Sequence, residues 1–300
     1  MVTTFPEFTY LRPSTLHEAV SELAARGPAA TLIGGGTDLM LMIQDGTVAP
    51  EYVIDVRSIS ELRRLDYAPD GGLTVGAAVT LRALETSPIV RRLYPQLAQS
   101  AAEIGSVQIR GLGTVGGNLC TSMPSADLAP SLITLGASAR IVGPGGERVL
   151  PVEQFFAGPR RPALAPYEVL VDLSIPPPAP RSGGVYLKMA NRPTMDITFV
   201  GVAATIALST SGPAADAPIQ SARIALASVA PTPIRAREAE ELLEGRSLDP
   251  SLLEECGRAA VNACQPISDF RATAGYRLEM VAVLTKRAIA IAVERARAAK

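Results

Sequence analysis

The sequence predicts an α+β protein built as two domains, and three observations lead there. Strand-like and helix-like stretches follow one another without the steady βαβ alternation that would announce a doubly wound sheet. A stiff run, Pro176-Pro177-Pro178-Ala179-Pro180, divides the chain. Beyond that run, three strand candidates precede three helices. A length of 300 residues also suits two domains, with room for three lobes.

The elements follow in order. Ser14 to Arg26 reads as a helix, with Thr15 and Glu18 as a capping box, Leu16, Val20 and Leu23 as its apolar stripe and Gly27 as its stop. Ala30 to Ile33 is a strand that ends at Gly34-Gly35-Gly36. Leu39 to Gln44 is a short helix. Tyr52 to Asp55 and Leu73 to Gly76 read as strands, as does Leu62 to Leu65 more weakly. Helices are expected at Thr80 to Glu85, Gln96 to Ile104 and Ala126 to Leu135, the last preceded by a second glycine loop, Gly113 to Asn118. Strands at Ala139 to Val142 and Arg148 to Leu150 flank a hairpin-like Gly143-Pro144-Gly145-Gly146, and Glu168 to Ile175 is a further strand. After the prolines come strands at Val185 to Met189, Ile197 to Ser209 and Ala222 to Val229. Helices then follow at Arg235 to Leu243, Ser251 to Ala263 and Gly275 to Ala299.

Composition excludes several functions. A formal net charge of −1 argues against a nucleic-acid binder, which would carry a basic face. Met1 to Tyr10 has no apolar core for a signal peptide, and the most apolar stretch is too short to span a bilayer, so the expected location is the cytoplasm. Cys120, Cys256 and Cys264 fit no zinc or iron–sulfur spacing, and a cluster ordinarily wants four thiolates. They read as small buried hydrophobes. The sole histidine, His17, lies on the surface of a predicted helix, so no Ser–His–Asp or Cys–His set can be assembled. An enzyme with this composition would rely on a cofactor for its chemistry.

The glycine motifs narrow the choice. Three consecutive glycines bring no side chain to a core and cost backbone entropy, so they are read as a main-chain nest for an anion. The plain alternative is a strand-to-helix turn. Gly111-Leu112-Gly113-Thr114-Val115-Gly116 formally matches the dinucleotide fingerprint G-x-G-x-x-G. Gly117, Asn118 and Pro124 forbid the long helix that fingerprint opens, and no acidic residue follows at the required spacing. No P-loop motif occurs. Two glycine loops without Lys or Arg suggest a pyrophosphate inside a large dinucleotide, held by main-chain N–H groups on both sides.

Gly34-Gly35-Gly36-Thr37-Asp38-Leu39 with Gly113-Thr114-Val115-Gly116-Gly117-Asn118 resembles the FAD-binding (medium) subunit of the molybdenum hydroxylases, of the xanthine dehydrogenase and carbon monoxide dehydrogenase type. Asp127-Leu128-Ala129-Pro130, Phe155-Phe156-Ala157-Gly158, Glu168-Val169-Leu170, Tyr186-Leu187-Lys188 and Arg192 with Asp196-Ile197 extend the likeness over nearly the whole chain. The resemblance implies a two-lobed FAD-binding domain of the PCMH or vanillyl-alcohol-oxidase-like type over residues 1–177, with lobes at about 1–56 and 57–177. A small α+β domain over 183–300 would follow.

It further implies that Leu32, Ile33, Gly34, Gly35, Gly36, Thr37, Asp38 and Leu39, with Thr114, Val115, Gly116, Gly117 and Asn118, wrap the FAD diphosphate. Thr121 and Asp127 would bond the phosphate or ribose, Leu170 would pack near the isoalloxazine, and Lys188 would approach that ring and favour its reduced, anionic form. Thr37-Asp38 stands where related flavin folds place a histidine for covalent attachment, so the FAD is expected to be noncovalent. Arg161 and Pro162 depart from the family's Lys-Thr. By the same resemblance, an iron–sulfur small subunit and a molybdopterin large subunit carry the 2Fe–2S clusters and molybdopterin, as a dimer of heterotrimers, and electrons leave to NAD or oxygen. Two other readings stand beside it: a self-sufficient FAD-dependent reductase or oxidase on the same architecture, and a non-enzymatic scaffold.

Overall fold

The computed structural model describes residues 5–214 and 217–299; the outer ends of the expected domains, Met1–Thr4 and Lys300, lie outside the described residues. The chain opens with β1 (Thr9–Leu11), α1 (Leu16–Arg26), β2 (Ala30–Ile33), α2 (Leu39–Gln44) and β3 (Tyr52–Asp55). The three strands form a parallel sheet in the order β1-β3-β2. Thr15 caps α1 by accepting from the Glu18 N–H, and Glu18 reaches back to the Ser14 N–H at 2.7 Å. The apolar stripe of α1 packs Val20 and Leu23 against Ile54.

A second lobe holds β4 (Leu65–Ala68), β5 (Gly72–Gly76), and six short helices: α3 (Leu81–Thr86), α4 (Pro88–Leu93), α5 (Pro95–Ala102), α6 (Val107–Leu112), α7 (Val115–Cys120) and α8 (Leu128–Thr134). Strands β6 (Ser138–Gly143), β7 (Gly146–Pro151), β8 (Phe156–Gly158), β9 (Arg161–Pro162) and β10 (Val169–Ile175) complete it. The antiparallel sheet runs β4-β5-β10-β6-β7, with β8 and β9 as a separate pair. Its helices and sheet enclose one core that includes Leu73, Tyr94, Leu97, Leu119, Leu132 and Phe155.

After the prolines, β11 (Ser182–Met189), β12 (Val200–Leu208), β13 (Ile219–Ala227) and β14 (Ile234–Arg235) form an antiparallel sheet in chain order. Helices α9 (Arg237–Leu243), α10 (Pro250–Asn262) and α11 (Ala274–Ala298) follow. Strand β12 is buried along nearly all its length because α11 packs on this sheet and α8 of the preceding domain reaches it too. That two-sided cover is why its sequence is apolar throughout rather than alternating.

The α+β architecture of the sequence reading stands, and its departures are local. Leu62 to Leu65 is a 3-10 turn at Glu61–Arg63 followed by β4, because Leu62 is drawn into the core beside Ile59 and Ala78. The helical stretch read at Gln96 to Ile104 is α5, which begins at Pro95, and α4 precedes it unforeseen; each carries a proline in its first turn. The second glycine loop is not a loop. Thr114 caps α7, which includes both Gly116 and Gly117. A Cβ at Gly116 would stand 2.6 Å from the Ala77 Cβ, so close packing on the strand end overrides poor helix propensity there.

Candidate functional site

Strand β2 delivers the chain to Gly34, and the turn that follows is shaped by what lies beside it. Gly36 has φ +73°, the left-handed region that favours glycine. A Cβ at Gly34 would stand 2.7 Å from Thr114 Oγ1, and one at Gly35 would overlap the Leu112 carbonyl oxygen. The two glycine segments therefore lie directly against each other. Packing does explain Gly34 and Gly35, contrary to the expectation that consecutive glycines serve only a ligand.

The two segments differ in what they can offer an anion. The N–H groups of Gly35, Gly36, Thr37 and Asp38 donate to no acceptor among the described residues. Most of those in the second segment are spent: Gly113 N–H donates to Ile109 O, Val115 N–H to Val79 O, Gly116 N–H to Ala77 O, Gly117 N–H to Thr114 Oγ1 and Asn118 N–H to Thr114 O, which leaves Thr114 N–H without an acceptor among the described residues. Among the described residues of the two segments, the first presents a run of consecutive free donors, the form a nest requires. The second props it in place and contributes a different group: Asn118 Oδ1 is buried without a partner among the described residues.

Both segments face a cavity of about 640 Å³. Of the residues expected at a cofactor, Leu32, Gly34, Gly35, Gly36, Thr37, Asp38, Leu39, Thr114, Gly117, Asn118, Thr121 and Asp127 line it. Five stand outside its wall. Ile33 packs with Ile43 and Val53, Val115 and Leu170 belong to the main core, and Gly116 is pressed on Ala77. Lys188 is the fifth, one residue behind the wall, where its Nζ donates to Asp127 Oδ2 at 3.2 Å and Glu103 O at 2.8 Å.

Asp127, expected at the phosphate or ribose, lines the cavity and is also engaged across the domain boundary. Its Oδ1 accepts from Tyr186 Oη at 2.6 Å and Thr198 Oγ1 at 2.5 Å, while Oδ2 takes Lys188. All three donors come from the second domain, so this carboxylate is the joint between the two. Burial pushes the Asp127 carboxyl up, against the opposing pull of Lys188 and the two hydroxyl donors. The same burial raises Glu103, with Lys188 pulling the other way.

Sequence reasoning missed the rest of the wall. Ile104, Gly105 and Ile109 form one side, Arg160 stands at the edge, and Asp196, Ile197 and Thr198 close it from the second domain. Burial opposes the charge on Asp196, but the main-chain N–H groups of Ile197 and Arg192 outweigh it and hold the carboxyl low. Among the described lining residues Arg160 is the one cation. The sequence signals were slight: a glycine at 105 after an apolar residue, the Arg160-Arg161 pair, and Asp196-Ile197, part of the family likeness but not placed at the site. Cys120 also lines the cavity, and burial pushes its thiol up to about 12, so it is a neutral part of the wall at neutral pH.

Chemically the cavity is a binding site. Its wall mixes apolar side chains with a free N–H nest and Asn118, whose amide oxygen has no partner among the described residues. Among the described residues no group of three or more His, Cys, Asp or Glu could hold a metal ion.

Comparison with known proteins fits this geometry. Residues 6–178 match the family model described as the FAD binding domain in molybdopterin dehydrogenase, and residues 185–292 match that of the CO dehydrogenase flavoprotein C-terminal domain. The xanthine dehydrogenase FAD-binding subunit of Escherichia coli O157:H7 is 33% identical over 95% of this chain and 96% of its own. A solved carbon monoxide dehydrogenase from Hydrogenophaga pseudoflava, lacking the Mo-pyranopterin moiety of its cofactor, superposes with TM-score 0.92 at 32% identity, covering 97% of this chain and 99% of that one. Quinoline 2-oxidoreductase from Pseudomonas putida 86 does so with TM-score 0.90 at 30% identity, over 98% and 99%.

Proposed function

Because this chain belongs to the FAD-binding subunits of the molybdopterin dehydrogenases, we propose that it is the FAD-carrying electron-transfer subunit of a molybdenum hydroxylase complex. The observation that carries the reading is the set of free N–H groups from Gly35 to Asp38, opening into a cavity closed by both domains. Those donors suit the diphosphate, and Asn118 Oδ1 suits a hydroxyl or N–H of the same ligand. Bound there, FAD supplies the coupling between single-electron delivery and paired-electron release.

The chain's own work is to bind, orient and shield. The nest fixes the phosphates, Ile104 and Ile109 exclude water from one side, and the Asp127 joint keeps the second domain's residues 196–198 on the other. With Thr37-Asp38 at the loop and no histidine in the wall, the cofactor is held noncovalently. Residues 1–177 form the cofactor domain and 183–300 the second domain. Electrons arrive from an iron–sulfur small subunit fed by a molybdopterin large subunit, in a cytoplasmic dimer of heterotrimers, and leave to NAD or oxygen. Among the described lining residues there is no histidine, and the alternative of a self-sufficient reductase has no specific observation in its favour.

The test is to purify the complex through this chain and record its absorption spectrum. Flavin bands together with iron–sulfur features are expected, and acid precipitation should release the flavin. Copurification of the partner subunits without any flavin would overturn the reading.

A further inference from the structure

Helix α6 is unusual in what it buries. Val107, Ile109 and Leu112 are exposed, and the one side chain it takes out of water is an arginine, Arg110. This guanidinium meets Glu85 of α3, Nε to Oε2 at 2.8 Å, both side chains about nine-tenths buried. Its Nη1 donates to the carbonyl oxygens of Ile104 at 3.0 Å and Gly105 at 3.4 Å. Ile104, Gly105 and Ile109 line the cavity, and the end of α6 supplies the Leu112 carbonyl that abuts Gly35. Gly105 has φ +52°, and a Cβ there would stand 3.0 Å from Ile109 Cγ2, so this wall is tightly nested on α6.

We propose that Arg110, held by Glu85, is a positioning residue for the cofactor cavity: it ties the Ile104–Gly105 wall and helix α6 to the body and so sets the surface against which the ligand rests. An apolar side chain at 110 would bury α6 by packing alone. It would leave two inward carbonyls without a donor and the wall free to drift. A charged fork instead bonds a carboxylate and two carbonyls at once, which fixes direction as well as distance. Burial tends to raise Glu85, but Arg110 and Arg82 outweigh it and hold the carboxyl below its ordinary range. Arg82 Nη1 reaches Glu85 Oε1 at 2.7 Å and Arg91 Nε its main-chain oxygen at 2.9 Å, so the anchor for Arg110 is itself fixed.

The inference rests on the FAD reading, and its test separates the two. Full-length chain is titrated with FAD by fluorescence quenching, and amide hydrogen exchange is followed without FAD. Arg110→Met leaves Glu85 buried with less compensation and is expected to lower Tm. The double variant Arg110→Met with Glu85→Met removes both buried charges and should recover most of that Tm. Both variants should bind FAD about tenfold more weakly than the unmodified chain and exchange faster at residues 104–113 than elsewhere. Arg110→Lys, keeping charge without the fork, should recover little of the affinity. A double variant with restored Tm and FAD affinity within about twofold of the unmodified chain would overturn the inference, as would unchanged exchange at 104–113. Failure of the unmodified chain to bind FAD would instead sink the cofactor reading, and this inference with it.

Discussion

Asn118 lines the cavity, and its Oδ1 is buried without a partner among the described residues, which a folded chain ordinarily avoids. If the oxygen awaits a ligand donor, Asn118→Leu should leave the Tm of the FAD-free chain unchanged or raised, since an unsatisfied polar atom is removed. It should weaken FAD binding by about tenfold, read by fluorescence titration. Gly35 gives the opposite pattern. Gly35→Ala forces a methyl onto the Leu112 carbonyl and should cost about 1–3 kcal/mol of stability by chemical denaturation, with FAD binding lost as well. The triple glycine suggests a ligand loop from sequence because such a run brings no side chain to a core. Its second role, close packing, was not legible, because nothing in Thr31 to Met40 says that Leu112 and Thr114 lie alongside.

At the scale of elements, the N-terminal signals were readable wherever a cap and a periodic stripe coincide, as at Thr15 and α1. They failed where tertiary packing decides. Helix α7 forms through two glycines because Thr114 caps it and Ala77 leaves space only for hydrogen at Gly116. Thr114→Val should therefore cost about 1 kcal/mol of stability through the lost cap to Gly117 N–H, with Thr114→Ser close to neutral, both by thermal denaturation. The cavity walls at Ile104, Ile109 and Arg160 were opaque for the same reason: they come from a bend, a short helix and a hairpin, and only assembled packing brings them together. The second glycine segment was read as a nest because sequence does not reveal whether an N–H group is already spent.

Over the whole molecule, the two domains share buried polar joints rather than an apolar seam alone. Gln96 bonds Thr134 within the first domain and takes Thr205 of the second at 3.1 Å, while Asp127 gathers Tyr186, Thr198 and Lys188. Asp127→Ala would strand Lys188 and cost about 3–5 kcal/mol, seen as loss of a single cooperative unfolding transition in calorimetry. Acid should act elsewhere. Burial opposes ionised Asp55 and Asp269, but Arg57 with Tyr10, and the Arg271 N–H with Arg277, overcome it and hold both carboxyls at about 2. Unfolded aspartate titrates at about 4. The stability they add is present above about pH 4 and is lost as pH falls through about 2. Asp269→Asn should flatten that limb of the stability–pH curve, because Arg277 on α11 then has no ionised partner at any pH.

The crowding at Gly35 also limits how the chain could be repaired. The atom in the way is a peptide oxygen, common to all twenty residue types, so no replacement at Leu112 can make room for a larger side chain opposite. A selection for suppressors of a Gly35 variant should therefore yield true reversion to glycine and no compensating change at its neighbour.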